Sequence, residues 1–342
     1  MNDRKVTIYT IAQHLGVSPS AVSRAFNPKT RLSQDKRELI LRTAAEMGYH
    51  PNIMASRLSG EPIRIGVLLF SNISAYTNEY EPGILDAMNA LSDYKVTCTI
   101  RKIEAENSSL SGVEEFLKES YDGFVIGLGM ADEKKVLEFL PDTIPVISLD
   151  SACLSALSRS VSRSDSISTG RIAAQLLDLS IRTPNPKIAV FLSDKERLSQ
   201  KMILNSFQTE AESYGFGKVS IFETHDNPEE AVQKIEELFA IDIPDGIYIA
   251  TANSLSICQF MEFEERYRDT IIIASDIFQE LNDYIRKGIV TATIYQNPYQ
   301  QAYNALRALA LHLINGDPMP EEILVNPTIV LKSNLHLYEH TD

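Results

Sequence analysis

The chain has 342 residues, a length that predicts two or three compact units. Of these residues 44% are hydrophobic and 23% are charged, a composition typical of globular proteins. Its first residues form no apolar leader and it contains no apolar run of about eighteen residues, so we expect neither an export signal nor a membrane span. The three cysteines form neither a Cys-x-x-Cys pair nor an even set for disulfides, so we expect a cytoplasmic protein.

Charge is distributed unevenly along the chain. The first sixty residues hold nine lysines and arginines against four acids, although the whole chain carries −14. A basic head on an acidic body indicates a local phosphate-binding surface, with the body repelled from DNA. The alternative is a solvated charged tail, but residues 7–50 are too apolar and periodic for one.

Short helices are predicted in the head, residues 1–50. Thr7 fits an N-cap, and apolar residues follow at helical spacing up to Gly16, which supplies the positive φ of a tight turn. Ser18 caps a second helix, Pro19–Phe26, whose proline stands at the first position. Ser33 caps a third. The expected inward stripe of this third helix is Leu39, Ile40, Thr43, Ala44 and Met47.

The second helix has the character of a DNA-reading helix. Its small outward residues would let it lie deep in the major groove, and Arg24 can donate two hydrogen bonds to a guanine. The residues expected to face outward are Ser20, Ala21, Ser23 and Arg24. The head is therefore predicted to be a helix-turn-helix, with a generic three-helix bundle as the alternative.

Residues 7–27 (TIYTIAQHLGVSPSAVSRAFN) resemble the head of the LacI family, with its Gly-Val-Ser turn, Val-Ser-Arg core and closing Asn. Tyr49-His50-Pro51-Asn52, followed by Ala55 and Leu58, resembles that family's link into a hinge helix. The resemblance implies that Leu58 is an apolar wedge in the minor groove, the alternative being packing on the body. Base contacts are implied for Pro19, Ser20 and Arg24, and phosphate contacts for Thr7, Tyr9, Ser18, Ala21, Ser23, Asn27 and Ser33.

The hinge, residues 51–60, is expected to be frayed without DNA, because isolated helices shorter than about 12–15 residues are marginal. Two copies would fold it by pairing over the centre of a pseudo-palindromic operator. The active unit is therefore expected to be a homodimer on double-stranded DNA.

From residue 61 onwards, short apolar strands alternate with amphipathic helices such as Gly83–Leu91 and Ser168–Leu179. Alternation of this kind predicts parallel sheets built from βαβ units. The predicted strands are Ile63–Phe70, Phe124–Leu128, Val146–Leu149, Ile188–Leu192, Ile247–Ala250, Ile271–Ala274 and Thr291–Tyr295.

A faint internal repeat divides the body, residues 61–342, into two halves. Ile65-Gly66-Val67 recurs as Ile188-Ala189-Val190, and Asp122-Gly123-Phe124 recurs as Asp245-Gly246-Ile247 at the same offset. The repeat predicts an α/β body of two similar doubly wound lobes, with ligands beyond the carboxyl ends of the strands. The expected N-lobe covers 61–160 and 293–325, and the C-lobe covers 161–292 and 326–342.

The body resembles the periplasmic-sugar-binding-type core of LacI regulators, and an effector site between the lobes is implied. Carboxylates suit sugar hydroxyls and aromatic faces cover C–H patches. The implied hydrogen-bonding residues are Asp150, Asp276 and Gln296, the implied wall residues are Phe70, Tyr76 and Tyr80, and Asp165 fits the entrance to the second lobe. The alternative role for each of the three aspartates is a helix N-cap.

Three departures from the resemblance concern charge. Ile203 and Ser151 stand where many relatives have Arg, and Asn253-Ser254 stands where Asn-Asp is usual. Charge-assisted bonds to a hydroxylated ligand are therefore lost. The expected effector is therefore a sugar or sugar derivative other than a standard hexose.

Enzyme readings find little support, since Gly-x-Ser-x-Gly, Walker A and His-Glu-x-x-His motifs are absent. No catalytic residue, cofactor or metal is expected. The prediction is a sequence-specific DNA-binding transcription regulator, a repressor of carbohydrate-utilisation genes controlled by a sugar-like effector. The alternatives are a sugar-modifying enzyme or kinase with an appended DNA-binding head, and a solute-binding protein, which would leave residues 1–60 unexplained.

Overall fold

The computed structural model divides the chain into two compact units, with the main boundary between Pro62 and Ile63. The first unit is the head and the second is the body. The structure describes residues 6–26, 32–47, 62–71, 75–104, 111–127, 130–150, 160–251, 254–263 and 269–338.

The described part of the head contains helices α1 (Ile8–Leu15), α2 (Pro19–Ala25) and α3 (Gln34–Glu46). Thr7 caps α1 in a reciprocal capping box with Thr10, and Gly16 ends it with φ 61°. The core is built around Ile11, Val22 and Ile40, each fully buried. The predicted helices are confirmed.

The prediction that Leu39 belongs to the inward stripe of α3 is wrong. Leu39 is 43% exposed, whereas its neighbour Ile40 is fully buried. Thr43 and Ala44 follow Ile40 at helical spacing and are buried, so the inward face of α3 is narrower than its apolar residues suggested.

The body alternates strands and helices along the chain. The first stretch contains β1 (Ile63–Ser71), α4 (Ala75–Asn78), α5 (Tyr80–Ala90), β2 (Val96–Glu104), α6 (Ser111–Lys118), β3 (Gly123–Gly127), α7 (Met130–Phe139), β4 (Val146–Leu149) and β5 (Val161–Ser164). The second contains α8 (Ser166–Ser180), β6 (Lys187–Leu192), α9 (Leu198–Ser213), β7 (Lys218–Glu223), α10 (Pro228–Ile241), β8 (Gly246–Ala250), α11 (Ser254–Phe263), β9 (Ile271–Ser275), α12 (Gln279–Lys287) and β10 (Ala292–Tyr295). The last contains α13 (Pro298–Asn315), β11 (Glu322–Val325) and β12 (Thr328–Val330).

The strands form two sheets of six, each the centre of one lobe. The first has the order β11-β5-β4-β3-β1-β2, and the second has the order β12-β10-β9-β8-β6-β7. Pairing is parallel except between β10 and β12. Two similar doubly wound lobes were predicted, and this fold is confirmed.

The chain passes between the lobes after β5, after β10 and after β11, because each of these strands is followed by an element of the other lobe. Pairing with β4 and β11 puts β5 in the first lobe, and pairing with β9 puts β10 in the second. The crossings therefore lie a few residues later than the expected boundaries at 160/161 and 292/293.

The internal repeat marks one hydrogen-bonding device used in both lobes. Asp122 Oδ2 accepts from Arg64 N (2.9 Å), and Asp245 Oδ2 accepts from Lys187 N (2.8 Å). The backbone N–H of each aspartate donates back to the carbonyl of the same partner. Each Asp-Gly pair thus secures the start of its lobe's first strand just before the next strand begins.

Gly83 and Gly170 occupy matching places on α5 and α8. A Cβ on Gly83 would lie 2.2 Å from Tyr299 O on α13, and one on Gly170 would lie 2.2 Å from Ile203 O on α9. Helix pairs in both lobes therefore approach too closely for any side chain at these positions.

Candidate functional site

The predicted DNA-contacting residues of the head lie mostly on its exposed surface. Tyr9 is 68% exposed, and Ser18 caps α2 by accepting from Ala21 N (3.2 Å). Ser33 holds the N-cap position of α3 but makes no side-chain cap bond. The exposed members of the predicted set are Thr7, Tyr9, Ser18, Ser20, Ser23, Arg24 and Ser33, and Pro19 is partly buried.

Ala21 does not face outward, so that prediction is wrong. Its side chain is 5% exposed and lies on the same face of α2 as Val22 and Ala25. The small size of alanine made it look suited to a groove-facing helix, but the same small size lets α2 pack tightly on the head core.

Arg24 and Arg37 have different places in the head. Arg24 is exposed, and its Nε donates to Ser20 O (3.2 Å) along its own helix. Arg37, on α3, donates from Nη1 to Ala25 O (2.8 Å), a carbonyl at the C-terminal end of α2. Arg37 thereby helps to fix the orientation of the helix that carries Arg24. Nothing in the local pattern around Arg37 indicated this contact.

Asn27, Leu58 and the whole hinge, residues 51–60, lie outside the described residues. Their predicted roles remain predictions.

In the body, the carboxyl ends of the two sheets meet at the crossings between the lobes. Asp150 follows β4 in the first lobe, Asp276 follows β9 in the second, and Asn297 lies in the crossing after β10. All three have positive φ (44°, 66° and 56°), a conformation that Asp and Asn tolerate better than other residues with a side chain. Sharp turns at the strand ends therefore direct polar groups to one region.

Asp276 and Gln296 form the best-defined pair of this region. Gln296 donates from its backbone N to Asp276 Oδ1 (3.1 Å) and from Nε2 to Oδ2 (2.9 Å). Burial, with smaller effects from the charges of Asp150 and Glu79, raises the pKa of Asp276 to about 7, although the bonds from Gln296 act to lower it. Near neutral pH this carboxyl group can accept a hydrogen bond or donate one.

Tyrosines from the first lobe lie beside this pair. Tyr76, on α4, meets Tyr80 edge to face with ring centroids 5.7 Å apart. Burial raises the pKa of Tyr76, and so do the charges of Asp150 and Asp276. These two carboxylates follow strands of different sheets, so the Tyr76 hydroxyl lies within electrostatic reach of a charged group from each lobe. Tyr80 is buried, and Phe70 is the next-to-last residue of β1.

Asp165 caps α8, as its alternative role expected. Its Oδ1 accepts from Ile167 N (3.1 Å) and Ser168 N (3.0 Å), and its Oδ2 accepts from Ser168 Oγ (2.6 Å). Burial acts to raise the pKa of Asp165, but these hydrogen bonds and the charge of Arg163 lower it overall. These bonds are those of a helix N-cap, and an effector role for Asp165 stays a prediction.

Sequence reasoning missed a polar cluster at the carboxyl edge of the second sheet. Asp226 accepts from Ser193 Oγ (2.7 Å), Thr251 Oγ1 (3.0 Å) and Arg197 Nη1 (2.9 Å). These residues follow β6, β7 and β8 and are far apart in sequence, so spacing gave no signal. Ile203, one of the departures from the resemblance, is 1% exposed inside the second lobe. Arg197 places a cation at this edge of the sheet.

Within the described residues, His, Cys, Asp and Glu side chains form no group of three or more that could hold a metal ion. Among the helices described, none has the length and apolar character required to cross a bilayer.

A capped three-helix head and a two-lobed α/β body with polar groups at its strand ends define a class: regulators that bind DNA and sense a small molecule. Comparison with known proteins identifies the class further. Residues 65–317 match the periplasmic binding protein domain, and residues 7–52 match the bacterial regulatory proteins of the lacI family. The chain thus joins a head of the lacI family of bacterial regulatory proteins to a body of the periplasmic binding protein type.

Similar proteins agree with this membership. The chain is 25% identical to the HTH-type transcriptional regulator DegA of Bacillus subtilis (strain 168) over 71% of its length and 72% of DegA. It is 30% identical to the ribitol operon repressor of Klebsiella aerogenes, over 43% of this chain and only 55% of that protein.

Solved structures share the fold. The glucose-galactose binding protein GanP from Geobacillus stearothermophilus superposes with a TM-score of 0.68 at 20% identity, over 80% of this chain and 99% of GanP. The lac repressor dimer bound to operator and the anti-inducer ONPF superposes with a TM-score of 0.62 at 19% identity, over 96% of this chain and 98% of the lac repressor chain. The prediction of a LacI-type DNA-binding transcription regulator is confirmed.

Proposed function

We propose that the protein is a cytoplasmic homodimeric repressor of carbohydrate-utilisation genes and not an enzyme. A sugar or sugar derivative bound between the lobes changes its affinity for a pseudo-palindromic operator. The observation that carries the proposal is the Asp276–Gln296 pair at the carboxyl edge of the second sheet, within electrostatic reach of Asp150 on the first.

The chemistry of this region suits a polyhydroxylated ligand. Asp276 and Gln296 offer acceptors and donors next to one another, as vicinal hydroxyls require. The tyrosines supply ring surface for the C–H faces of a sugar. The relatives named for ribitol and for glucose and galactose support the same class of ligand.

A thermal-shift screen of the full chain tests the ligand class, with glucose, galactose, arabinose and ribitol as the first probes. A ligand at 100 times its Kd adds about 2.7 kcal/mol to the free energy of unfolding. Each stabilising compound is then added to a mobility-shift assay on DNA from upstream of the gene, where we expect it to change the bound fraction.

Asp276→Ala should abolish the ligand effect and leave ligand-free DNA binding intact. The matched control is Glu236→Gln, an exposed carboxylate on α10. An unchanged ligand effect in Asp276→Ala, or equal loss in both variants, would remove Asp276 from the site. Stabilisation by no sugar or polyol would contradict the ligand class.

A further inference from the structure

Gln301 is a buried polar residue in the first turn of α13, directly after the crossing that carries Gln296. Its side chain is 0% exposed. Its Nε2 donates to Gln296 O (3.0 Å) and to Tyr76 Oη (2.9 Å), and its backbone carbonyl accepts from Ser162 Oγ (2.8 Å). Through its side-chain amide and its backbone carbonyl, Gln301 therefore joins the crossing from the second lobe to a tyrosine and a strand of the first.

The orientation of the Gln301 amide follows from its partners. The carbonyl oxygen of Gln296 can only accept, so the nitrogen side of the amide must face it. The same nitrogen is the nearer neighbour of Tyr76 Oη, at 2.9 Å, whereas Oε1 lies 3.3 Å away. Tyr76 Oη therefore accepts from Gln301 in the shorter bond and donates to Oε1 only over the longer one. A ligand oxygen at closer range would take that hydrogen in place of Oε1.

The surroundings of Tyr76 favour donation into the cleft. The negative charges of Asp150 and Asp276 act on its hydroxyl, and both raise its pKa beyond the effect of burial. The group therefore remains a neutral phenol at any physiological pH. A neutral phenol that already accepts one hydrogen bond offers a single, directed O–H donor.

We propose that Gln301 is a positioning residue of the effector cleft, which holds the Tyr76 hydroxyl as a hydrogen-bond donor and ties it to the backbone of Gln296. The group recognised is a hydroxyl that accepts from Tyr76 while donating to Asp276. This inference rests on the proposed function for its ligand, but the positioning itself is present before any ligand binds.

The test replaces Tyr76 alone with 3-fluorotyrosine in the full-length protein and records the fluorine NMR signal without ligand. We expect one sharp line in the parent protein. In Gln301→Leu the line should shift and broaden, because the ring loses its anchor. Gln300→Leu is the matched control, since its amide on the same helix donates to Asn304 instead. An unchanged line in Gln301→Leu would overturn the proposal.

Gln301→Glu separates positioning from simple packing. Its carboxylate can accept from the Tyr76 hydroxyl but cannot donate to Gln296 O, so the hydroxyl turns away from the cleft. For any sugar or polyol that binds the parent, Gln301→Glu and Tyr76→Phe should weaken binding alike, by about 2- to 10-fold. Full affinity in Gln301→Glu would overturn the proposal. If no probe binds the parent, the proposed ligand class fails, while the fluorine signal alone still decides the positioning.

Discussion

In the folded protein, burial and nearby carboxylates oppose a negative charge on Asp276. Its protonation therefore depends on folding. Burial and the charges of Asp150 and Glu79 raise its pKa from 3.8 to about 7. The folded protein therefore binds this proton more tightly than the unfolded chain does. The contribution of this tighter proton binding to the free energy of unfolding is fully present below pH 3.8 and is lost as the pH rises through about 7.

Asp276→Asn, which cannot ionise, should remove this dependence. Relative to the variant, the parent protein is expected to lose stability on going from about pH 5 to about pH 8, as measured by urea unfolding at both values. Glu236→Gln serves as the control and should follow the parent. Parallel pH profiles for Asp276→Asn and the parent would show that this carboxyl group titrates normally.

We expect Arg24 to contact DNA bases and Ser33 to contact DNA phosphates. Arg24→Ala should lower affinity for the operator by about 1–3 kcal/mol, with less effect on random DNA, as loss of a bidentate guanine contact does. Ser33→Ala should weaken binding to both DNAs similarly. The two affinities are measured by titration at one salt concentration, and equal losses on both DNAs for Arg24→Ala would contradict base reading.

At the residue scale, the resemblance to LacI regulators and local capping patterns each predicted particular groups. Asp276 was predicted from that resemblance, and Ser18 was predicted as a cap because it precedes a proline. Gln301 and Asp226 were missed because their partners lie far away in the chain, and only the fold brings them together. Ala21 was misplaced because a small side chain fits a groove and a tight helix contact equally well.

At the scale of elements, the paired glycines show how the lobes set the distance between helices. Gly83→Ala and Gly170→Ala should each destabilise the protein by about 1–3 kcal/mol, because the added Cβ would meet a backbone oxygen that cannot move aside alone. The measurement is the free energy of unfolding in urea. Asn205→Ala, at an exposed position on α9, is the control and should have little effect. No loss in either glycine variant would mean that the helices can separate freely.

Strands β2, β5 and β7 went unpredicted, and the physical reasons differ. β2 and β7 are each at one edge of their sheet, and they carry polar residues and lack a continuous apolar run. β5 is short and includes Arg163, which is buried in an ion pair with Glu322 (2.5 Å). Local sequence could not reveal that partner, because it lies on β11 near the end of the chain.

At the scale of the whole molecule, one head reads only a few base pairs, and a symmetric pair doubles the contact. We expect a dimer at micromolar concentration, measured by sedimentation of the full chain alone and with operator DNA. A monomer under both conditions would contradict the proposed assembly. Raising the salt concentration should weaken DNA binding and leave the dimer in place, because phosphate contacts are the more salt-dependent of the two.

The late position of α13, β11 and β12 in the chain has a consequence for how the protein is made. The first lobe needs β11 at the edge of its sheet and α13 against that sheet, yet both follow β6 to β10 of the second lobe in sequence. On the ribosome, neither lobe can close its sheet before residues 322–330 have emerged, so both complete folding in the same final stretch of translation. A stop codon before Glu322 would take an outer strand from each lobe at once, and the nascent chain would release two open sheet edges.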